Sequence, residues 1–587
     1  MKVSDYIIDF LVQKNIDKVF SYIGKNAHLC DSIDKHDAIE NVFTLHEQAA
    51  GFSAEAYARV TGRTGVASTT SGPGATNLVT AIGSCFFDSV PTIFITGQVN
   101  TYECKNSSEC EYNAPVRQIG FQEADIVSIV KPITKYAMLV DNIHNLRYEL
   151  EKAYFLSQEG RKGPVLIDLP LNLTYRDFNP ENEKSFYDSK IYKDACKEKD
   201  ISDDIIETAI ELITNSIRPV ILIGGGARMS DAESELMILL NKTNIPIVYS
   251  LMGKDLIKTD YKYNLGFIGS YGNRYSNLTL ANADLLIVLG SRLDARQTGR
   301  QMTTFAREAK IIHVDLDKHE PGRRIKVDLL VHADVKNFVN KINAKEFNIE
   351  IEPWLHKVLD YKKRYSSLYT IEKKEKIPNK IIAYISEHLK ADDIICVDVG
   401  IHQMWAAQSL EVTGEQRALF SGGMGAMGFA LPAAIGATLG TEKRAIVIVG
   451  DGGFQINIQE LEIIKRRQLP IKIFIMNNVL LGMVSLMQRK FLDGNLIGTE
   501  DDYSVPNFKN IGNAYGIKSH EASHLQDIYD LIKKSLKNNN SELIDIQLDE
   551  SKDLVEPVIA AGRPMEDMCP FLDREELKKQ MVITPHK

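Results

Sequence analysis

The sequence contains few cysteines, no long basic stretch and no long apolar run, and each of these absences excludes a class of protein. The seven cysteines are an odd number without a CxxC pair, which is typical of a reducing compartment rather than of a disulfide framework. The 69 basic and 78 acidic residues give a formal charge of −9, so neither nucleic acid nor an anionic membrane is an expected partner. No apolar run approaches the roughly 20 residues of a membrane span.

The amino-terminal stretch MKVSDYIIDFLVQKN predicts an amphipathic helix rather than a secretory leader. Its apolar residues share one helical face, and Asp5 and Asp9 interrupt the apolar run that a signal peptide requires. Together with the cysteine usage, this pattern predicts a cytoplasmic protein.

Amphipathic helices alternate with short apolar strands in three regions, which predicts an α/β fold of three doubly wound parallel-sheet domains. The charged stretch at residues 174–200 lacks apolar periodicity and is interpreted as a surface linker. The charged stretch at residues 341–376 is helical in tendency and is interpreted as a second linker. We therefore expect a first domain at 1–175, a middle domain at 195–340, a third domain at 375–550 and a C-terminal tail at 551–587. The predicted strands are 18–22, 66–69, 92–96, 165–168, 220–223, 247–249, 285–289, 311–315, 394–397, 444–449 and 471–476.

The stretch from Gly450 contains GDG, then 24 residues, then NN, and lies in a strand, helix, strand unit. Because both strands of such a unit point the same way, Asp451 and Asn478 are expected side by side at the carboxyl edge of a sheet. One carboxylate and one amide oxygen suit Mg²⁺, which keeps water ligands and takes further oxygens from a phosphate. Gly452 and Gly453 leave room for that phosphate at a helix start. The unit resembles the thiamine diphosphate (ThDP) motif.

Three segments of the first domain extend this resemblance: HEQAA at 46–50, AYAR at 56–59 and TSGPGATN at 70–77. They resemble the pyrimidine-binding domain of ThDP enzymes, nearest to acetolactate (acetohydroxyacid) synthase. The resemblance implies that Glu47 hydrogen-bonds the aminopyrimidine ring of the cofactor and activates it, and that Pro73 and Asn77 bind the cofactor. The apolar neighbours Ala49 and Ala50 favour a shared proton on Glu47 over a solvated charge.

The third domain resembles the diphosphate- and magnesium-binding domain of the same family. Met427 matches the apolar residue that bends ThDP, and the Leu480 carbonyl is implied as a third Mg²⁺ ligand beside Asp451 and Asn478. The remaining residues implied in cofactor binding are Val399, Gly400, Ile401, His402, Gly425, Gly450, Gly452, Gly453, Gly482 and Met483.

The segment GFQEADIVSIVKPITKY, residues 120–136, resembles the substrate side of the family's site. Phe121, Gln122 and Lys135 fall on its matching positions and are interpreted as catalytic or substrate-binding residues. Lys135 is implied as the partner of a substrate carboxylate.

The middle domain contains GGGAR after its first strand and GSRLDARQTG at 290–299, which resembles the segment that holds FAD in acetolactate synthase. The residues implied in FAD binding are Gly225, Gly226, Ser250, Leu251, Met252, Gly290, Arg292, Asp294, Arg296, Asp315 and Asp334. Two positions depart from the family: its Met-His-Gly is Ser270-Tyr271-Gly272 here, and the residue before Asp334 is Ala333 instead of Gly. The alternative is a vestigial middle domain without flavin.

The resemblance covers nearly the whole chain and implies a carboligase that uses ThDP, Mg²⁺ and FAD. It would decarboxylate a 2-keto acid, pyruvate, and transfer the acyl carbanion to a carbonyl acceptor. The implied assembly is a homodimer or homotetramer with sites between chains, and a regulatory subunit is left open. Alternatives on the same scaffold are a ThDP and FAD oxidase, a simple 2-keto acid decarboxylase and a regulatory remnant without turnover.

A further alternative concerns the acceptor. The family's PGGA-like loop is Ile23-Gly24-Lys25-Asn26 here, and the family's channel tryptophan is Met487. A wider and more polar channel suits an acceptor larger than pyruvate. The tail also resembles that of ThDP proteins associated with surface-polysaccharide sugars. Acetyl transfer from pyruvate to a keto-deoxy nucleotide sugar is therefore the second hypothesis, after acetolactate formation.

Overall fold

The computed structural model describes residues 1–112, 116–196, 200–548 and 554–586. Its main strands form three six-stranded parallel sheets with helices interspersed between the strands, which confirms the predicted α/β class. The predicted boundary between residues 550 and 551 lies outside the described residues, as do residues 197–199 of the first predicted linker.

The first sheet has the strand order β2-β1-β3-β4-β6-β5. Its strands are β1 (Lys18–Ser21), β2 (Glu40–Phe43), β3 (Gly65–Thr69), β4 (Thr92–Gln98), β5 (Tyr136–Leu139) and β6 (Pro164–Pro170). The helices are α1 (Val3–Gln13), α2 (Ala27–Asp34), α3 (Glu47–Thr61), α4 (Pro73–Asn77), α5 (Val79–Phe87), α6 (Ile126–Val130), α7 (Leu146–Gln158), α8 (Leu171–Thr174) and α9 (Lys190–Ala195).

The second sheet has the order β12-β11-β10-β7-β8-β9. Its strands are β7 (Pro219–Ile223), β8 (Ile247–Tyr249), β9 (Asn264–Phe267), β10 (Leu285–Leu289), β11 (Lys310–Asp315) and β12 (Leu329–His332). The helices are α10 (Asp203–Thr214), α11 (Gly225–Met229), α12 (Glu233–Thr243), α13 (Arg274–Ala281), α14 (Ala295–Thr298), α15 (Val335–Asn343) and α16 (Glu352–Arg364).

The third sheet has the order β14-β13-β15-β16-β18-β17. Its strands are β13 (Ile394–Val397), β14 (Arg417–Phe420), β15 (Ala445–Gly450), β16 (Ile471–Asn477), β17 (Lys518–Ala522) and β18 (Glu542–Gln547). The helices are α17 (Ile377–Glu387), α18 (Ile401–Ser409), α19 (Ala430–Thr441), α20 (Asp451–Ile456), α21 (Leu461–Arg466), α22 (Gly482–Phe491), α23 (Phe508–Ala514) and α24 (Leu525–Leu536). Among the helices of the described residues, none combines the length and apolar character needed to cross a membrane.

Helices α3 and α19 join the first domain to the third. Their backbones approach so closely that a side chain on Gly436 would lie 2.0 Å from the Ser53 carbonyl oxygen. The Ser53 hydroxyl donates to the Pro432 carbonyl at 2.8 Å, and Phe52 packs edge-on against Phe429. Since α3 begins at Glu47 and α19 follows the loop of Met427, this contact fixes the relative position of two predicted cofactor-binding segments.

The helical tendency predicted for residues 341–376 is confirmed in their central part, but the interpretation of that part as a linker is wrong. Helix α16 lies there, and Trp354, Val358 and Tyr361 are buried in the core of the middle domain. The Trp354 indole N–H donates to the Pro219 carbonyl at 3.1 Å. The many charged residues of this helix suggested a linker, although its apolar residues recur at helical spacing and form one buried face.

The described part of the tail packs on the middle domain. Strands β19 (Val558–Ile559) and β20 (Met568–Cys569) form a small hairpin, and helix α25 (Arg574–Gln580) follows. Met565, Leu577 and Met581 join the apolar core of the middle domain. The Ile559 N–H donates to the Ser270 carbonyl at 2.8 Å, so the tail contacts the loop that departs from the family pattern.

Candidate active site

The strand ends that carry Asp451 and Asn478 are adjacent in the third sheet. Strands β15 and β16 pair in parallel, with Gly450 opposite Met476. The N–H groups of Asn478 and Val479 donate to one carboxylate oxygen of Asp451 at 3.0 and 2.8 Å. Asp451 and Asn478 are both buried, and burial raises the pKa of the Asp451 carboxyl above its ordinary value.

The second carboxylate oxygen of Asp451 accepts a hydrogen bond from the Tyr503 hydroxyl at 2.7 Å. The Leu480 carbonyl, the third implied metal ligand, accepts from the Gly482 N–H at 2.9 Å and retains a second lone pair. In the described residues, no cluster of three His, Cys, Asp or Glu side chains could hold a metal ion. A cation at this edge would therefore depend on one carboxylate, one amide and one carbonyl, which is a donor set that fits Mg²⁺.

A cradle opens beside this edge around Gly452, at the start of helix α20. A side chain on Gly452 would lie 2.7 Å from Leu481, 3.0 Å from the Tyr503 hydroxyl and 3.3 Å from Met427. Gly425 has a φ of +66°, and no atom lies within 4 Å of its side-chain position. Met427 and Gly452 are thus neighbours at a position where only a glycine fits, and Gly425 lies on the same loop as Met427.

Asp398 holds the two loops of this cradle together. Its carboxylate accepts from the N–H groups of Val399 and Gly428 at 2.8 and 3.0 Å and from that of Ala430 at 2.8 Å. Burial raises the pKa of Asp398 to about 6. The sequence did not single out Asp398, although it is the residue just before the predicted diphosphate loop.

His402 lies between Gly400 and Gly450, and both glycines leave room for its ring. The side-chain positions of the two glycines are each 2.8 Å from a ring atom of His402. Burial lowers the pKa of His402 to about 3, so the ring is neutral, and its buried Nε2 has no hydrogen-bond partner among the described residues. An unpaired buried nitrogen beside two glycine loops fits a site that a diphosphate completes.

Glu47 begins helix α3 and is only 8% exposed. One carboxylate oxygen accepts from the Asn77 side-chain amide at 2.9 Å. The other lies 3.1 Å from the position of a side chain on Gly74, so the SGPG loop can approach the carboxylate only because Gly74 has none. The structure thus brings Glu47, Pro73 and Asn77 together at the carboxyl edge of the first sheet.

The third domain also contacts the segment around Glu47. Both Glu460 carboxylate oxygens accept from the Leu45 N–H, at 3.1 and 3.2 Å, and the Asn457 amide donates to the Gln48 side chain at 3.0 Å. Burial raises the pKa of Glu460 to about 7. These polar contacts were not predicted, because nothing in the order of the residues connects the two segments.

Phe121 and Gln122, which were predicted on the substrate side, lie next to the SGPG loop, with the Gln122 carbonyl oxygen 2.8 Å from the side-chain position of Gly72. Phe121 is 81% exposed, and Gln122 has a φ of +65°, which is uncommon for a residue with a side chain. Lys135 lies apart from Phe121 and Gln122 in the structure. It precedes β5, so it is at the amino edge of the sheet, and its ammonium group donates to the Glu159 carbonyl.

The predicted FAD residues lie at or after the carboxyl ends of strands of the second sheet. Gly226 packs on Gly290, and its N–H donates to the Gly290 carbonyl at 2.9 Å. Asp294 and Asp334 cap the helices α14 and α15, while burial raises the pKa of Asp315. Gly225 and the segment Ser250, Leu251 and Met252 border the same edge.

Within the described residues, the contacts of two guanidinium groups at this edge are long. An Arg292 side-chain nitrogen lies 3.8 Å from the Asp294 carboxylate, and an Arg296 side-chain nitrogen lies 3.7 Å from the Met404 sulfur. Guanidinium groups suit phosphate oxygens. The middle-domain edge therefore fits a phosphate-containing dinucleotide.

Comparison with protein-family models gives three matches in the order of the domains. The N-terminal TPP binding domain of thiamine pyrophosphate enzymes matches residues 1–129, their central domain matches 206–342, and their C-terminal TPP binding domain matches 398–546. Fold, cradle and matches together define the class of thiamine pyrophosphate enzymes, and thiamine pyrophosphate is ThDP.

Curated relatives narrow this class. The acetolactate synthase large subunit of Cyanidium caldarium is 34% identical over 582 residues, covering 96% of this chain and 95% of that protein. The large subunit of Lactococcus lactis is 33% identical over 578 residues, covering 98% and 97%. Acetolactate synthase 1 of Zea mays is 34% identical over 588 residues, covering 97% and 88%. The chain therefore belongs to the acetolactate synthase family of thiamine pyrophosphate enzymes.

Proposed function

We propose that the protein decarboxylates pyruvate with ThDP and transfers the acetyl unit to the carbonyl of a second 2-keto acid, forming acetolactate. The observation that carries this proposal is the buried Glu47, oriented by Asn77 beside the SGPG loop. A regulatory remnant would not need this carboxylate, whereas turnover does. The relatives named acetolactate synthase match the chain over nearly its full length.

The proposed metal is Mg²⁺, held by the Asp451 carboxylate, the Asn478 amide and the Leu480 carbonyl. Val399 to His402 and the glycines at 452 and 453 would hold the diphosphate, and Met427 would support the bent cofactor. When bound, ThDP supplies the electron sink for loss of CO₂. The residues of this chain orient it, exclude water and move protons. Glu47 would share a proton with the aminopyrimidine ring, as an acid–base group.

We propose that the active form is at least a homodimer. Apolar side chains at both candidate site edges are exposed in the single chain, and contiguous exposed apolar surface marks an interface. They are Ile23, Leu45, Phe121, Met424, Val479 and Met487, each between 41% and 81% exposed. A second copy would cover this surface.

The first test concerns the product. With ThDP and Mg²⁺, pyruvate alone should yield CO₂ and acetolactate at roughly 1 to 10³ turnovers per second, an ordinary enzymatic range. Product mass and CO₂ release are measured together. Equal amounts of CO₂ and free acetaldehyde would instead identify a simple decarboxylase.

The second hypothesis, a larger acceptor than a 2-keto acid, is kept because of Met487. This flexible side chain is 44% exposed at the position of the family's channel tryptophan. A keto-deoxy nucleotide sugar added to the same reaction tests it. If acetolactate formation is correct, the sugar leaves the acetolactate yield unchanged. Diversion of the acetyl unit to the sugar would replace our first proposal with the second.

We further propose that the middle domain binds FAD. The protein should then purify with the visible absorbance of a flavin, which denaturation releases. Replacing both Arg292 and Arg296 by alanine should lower flavin content at least about tenfold, because two charged phosphate contacts are lost. Lys262→Ala, at the amino edge of the same sheet, is the control and should retain flavin. If the wild-type protein takes up no FAD on reconstitution, the FAD proposal is wrong and the middle domain is vestigial.

A further inference from the structure

Lys25 follows strand β1, and its ammonium group reaches the predicted substrate-side residues. It donates to the Ser71 hydroxyl at 3.0 Å, to the Phe121 carbonyl at 3.0 Å and to the Gln122 side-chain oxygen at 3.1 Å. The same ammonium lies 5.8 Å from the centre of the Phe121 ring. Lys25 thus connects the loop after β1, the SGPG loop and the segment of Gln122.

This ammonium and Glu47 flank the same short loop. The backbone N–H of Lys25 donates to the Thr70 hydroxyl at 2.9 Å. The Thr70 methyl lies 2.6 Å from the side-chain position of Gly74, and a Glu47 oxygen lies 3.1 Å from that position. Lys25 is therefore close to the acid–base residue of the proposed reaction, whereas Lys135 is at the opposite edge of the sheet.

The backbone that presents the partners of Lys25 is held in an uncommon conformation. Gln122 has a φ of +65° and Gly72 a φ of +58°. A side chain on Gly72 would lie 2.8 Å from the Gln122 carbonyl oxygen, so the two loops fit only with glycine at 72. Residues in such conformations cluster at ligand sites, where packing maintains them.

The charge of Lys25 is not neutralised locally. Its three hydrogen-bond acceptors are uncharged oxygens, and within the described residues no carboxylate lies at ion-pair distance from it. Burial lowers the pKa of Lys25, and the more distant Glu103 offsets this only in part. A ligand carboxylate would replace a neutral acceptor with a charged one, and charge-assisted hydrogen bonds are about twice as strong.

We propose that Lys25 binds the carboxylate of the accepting 2-keto acid, an inference that rests on the proposed function. The donor loses its carboxylate as CO₂, so a cation that stabilised that carboxylate before the reaction would oppose its loss. The acceptor keeps its carboxylate throughout. A cation fixed by three hydrogen bonds can therefore hold the acceptor without slowing decarboxylation.

The proposed reaction balances without an oxidant. The bond between the donor's carboxylate carbon and its carbonyl carbon breaks and CO₂ leaves. The electron pair left on the carbonyl carbon forms a new bond to the carbonyl carbon of the acceptor. The acceptor oxygen takes one proton, which comes from solvent, and becomes the hydroxyl of the product, while the carboxylate beside it stays on Lys25.

The test compares two acceptors that differ in one group. In 2-ketobutyrate a carboxylate occupies the position that a hydrogen occupies in propanal. Pyruvate is the donor, and the products are separated by mass. We expect Lys25→Met to lower the preference for 2-ketobutyrate over propanal about 10- to 100-fold, the range for a lost charged hydrogen bond. CO₂ release with propanal as acceptor should stay within a few-fold of wild type.

Two further variants separate recognition from structure. Lys25→Arg keeps the charge and should restore part of the preference, whereas Lys131→Met, at an exposed lysine, should leave the preference unchanged. Lys25→Met with an unchanged preference would overturn the inference. So would a loss of both acceptors in parallel, because that is the effect of a merely structural lysine.

If the proposed function itself is wrong, the result differs from a failure of the Lys25 proposal. Wild-type protein with ThDP and Mg²⁺ would then release no CO₂ from pyruvate or 2-ketobutyrate. Lys25 can still be tested in that case by calorimetry with oxamate, an unreactive 2-oxo carboxylate. Binding to wild type that weakens about tenfold or more in Lys25→Met would support the carboxylate site, and equal binding to both would contradict it.

Discussion

Glu47→Gln is expected to bind ThDP and Mg²⁺ and to lose most of its turnover. The amide has the same shape and can keep one contact with the Asn77 side chain, so the loop around it should stay in place. An amide cannot take up or release the shared proton. The rate of CO₂ release from pyruvate should therefore fall by roughly 10² to 10⁴, the usual contribution of a positioned acid–base group. Steady-state rates and ThDP titration by calorimetry measure the two effects separately.

The control for this variant is Glu308→Gln, which makes the same change at an exposed residue of the middle domain. It should keep the wild-type rate and the wild-type affinity for ThDP. Asn77→Ala is an intermediate case, because it removes only the group that orients Glu47, and we expect a smaller loss of about tenfold or more. Near-normal pyruvate decarboxylation by Glu47→Gln would remove Glu47 from the mechanism.

The interior strands were predictable and the edge strands were not. All eleven predicted strands lie in the interiors of the sheets, where both faces are buried and the sequence is mostly apolar. The edge strands β2, β5 and β12 are only partly buried, so their sequences carry no such run. Strand β18 is interior, yet Glu542 and Asp545 interrupt its apolar pattern.

Strand β11 is an interior strand beside the edge strand β12, and its buried run from 311 to 314 explains why it was found. Helix α16 lies in a stretch whose helical tendency was predicted, but its place in the core of the middle domain was not. Its Lys362, Lys363 and Arg364 raise the charge of the segment, while a buried Trp354 and Tyr361 recur at helical spacing. The charged composition therefore suggested a linker, although the apolar face of this helix packs into the core of the middle domain.

The candidate site was predictable where a spacing fixes the geometry. A strand, helix, strand unit forces Asp451 and Asn478 to one edge, whatever the rest of the fold does. Tyr503 contacts Asp451 across 52 residues, and Lys25 contacts Gln122 across 97. Such contacts depend on how loops from separate elements meet, and no local pattern encodes them. Asp398 could have been found, because a carboxylate at the end of an apolar strand precedes the predicted diphosphate loop.

The second large effect is expected for Asp451→Ala, which should lose Mg²⁺ and ThDP together. The carboxylate is the only charged group of the proposed donor set, so without it the cation has an amide and a carbonyl left. Replacing even the partners that orient a metal ligand typically costs 10- to 100-fold in affinity. We therefore expect the affinity for ThDP in the presence of Mg²⁺ to fall by at least about 100-fold. Calorimetric titrations of ThDP with and without Mg²⁺ measure it.

Alanine at 451 also leaves the Tyr503 hydroxyl and the N–H groups of Asn478 and Val479 without their acceptor, which could disturb the loop by itself. Asp451→Asn resolves this, because its side-chain oxygen can still accept hydrogen bonds while the charge is gone. If the carboxylate acts through the metal, both variants lose the Mg²⁺ dependence of ThDP binding. Tyr503→Phe removes a donor but leaves the charge, so its ThDP binding should still require Mg²⁺. An Asp451→Asn protein with Mg²⁺-dependent ThDP binding of wild-type strength would show that the cation is held elsewhere.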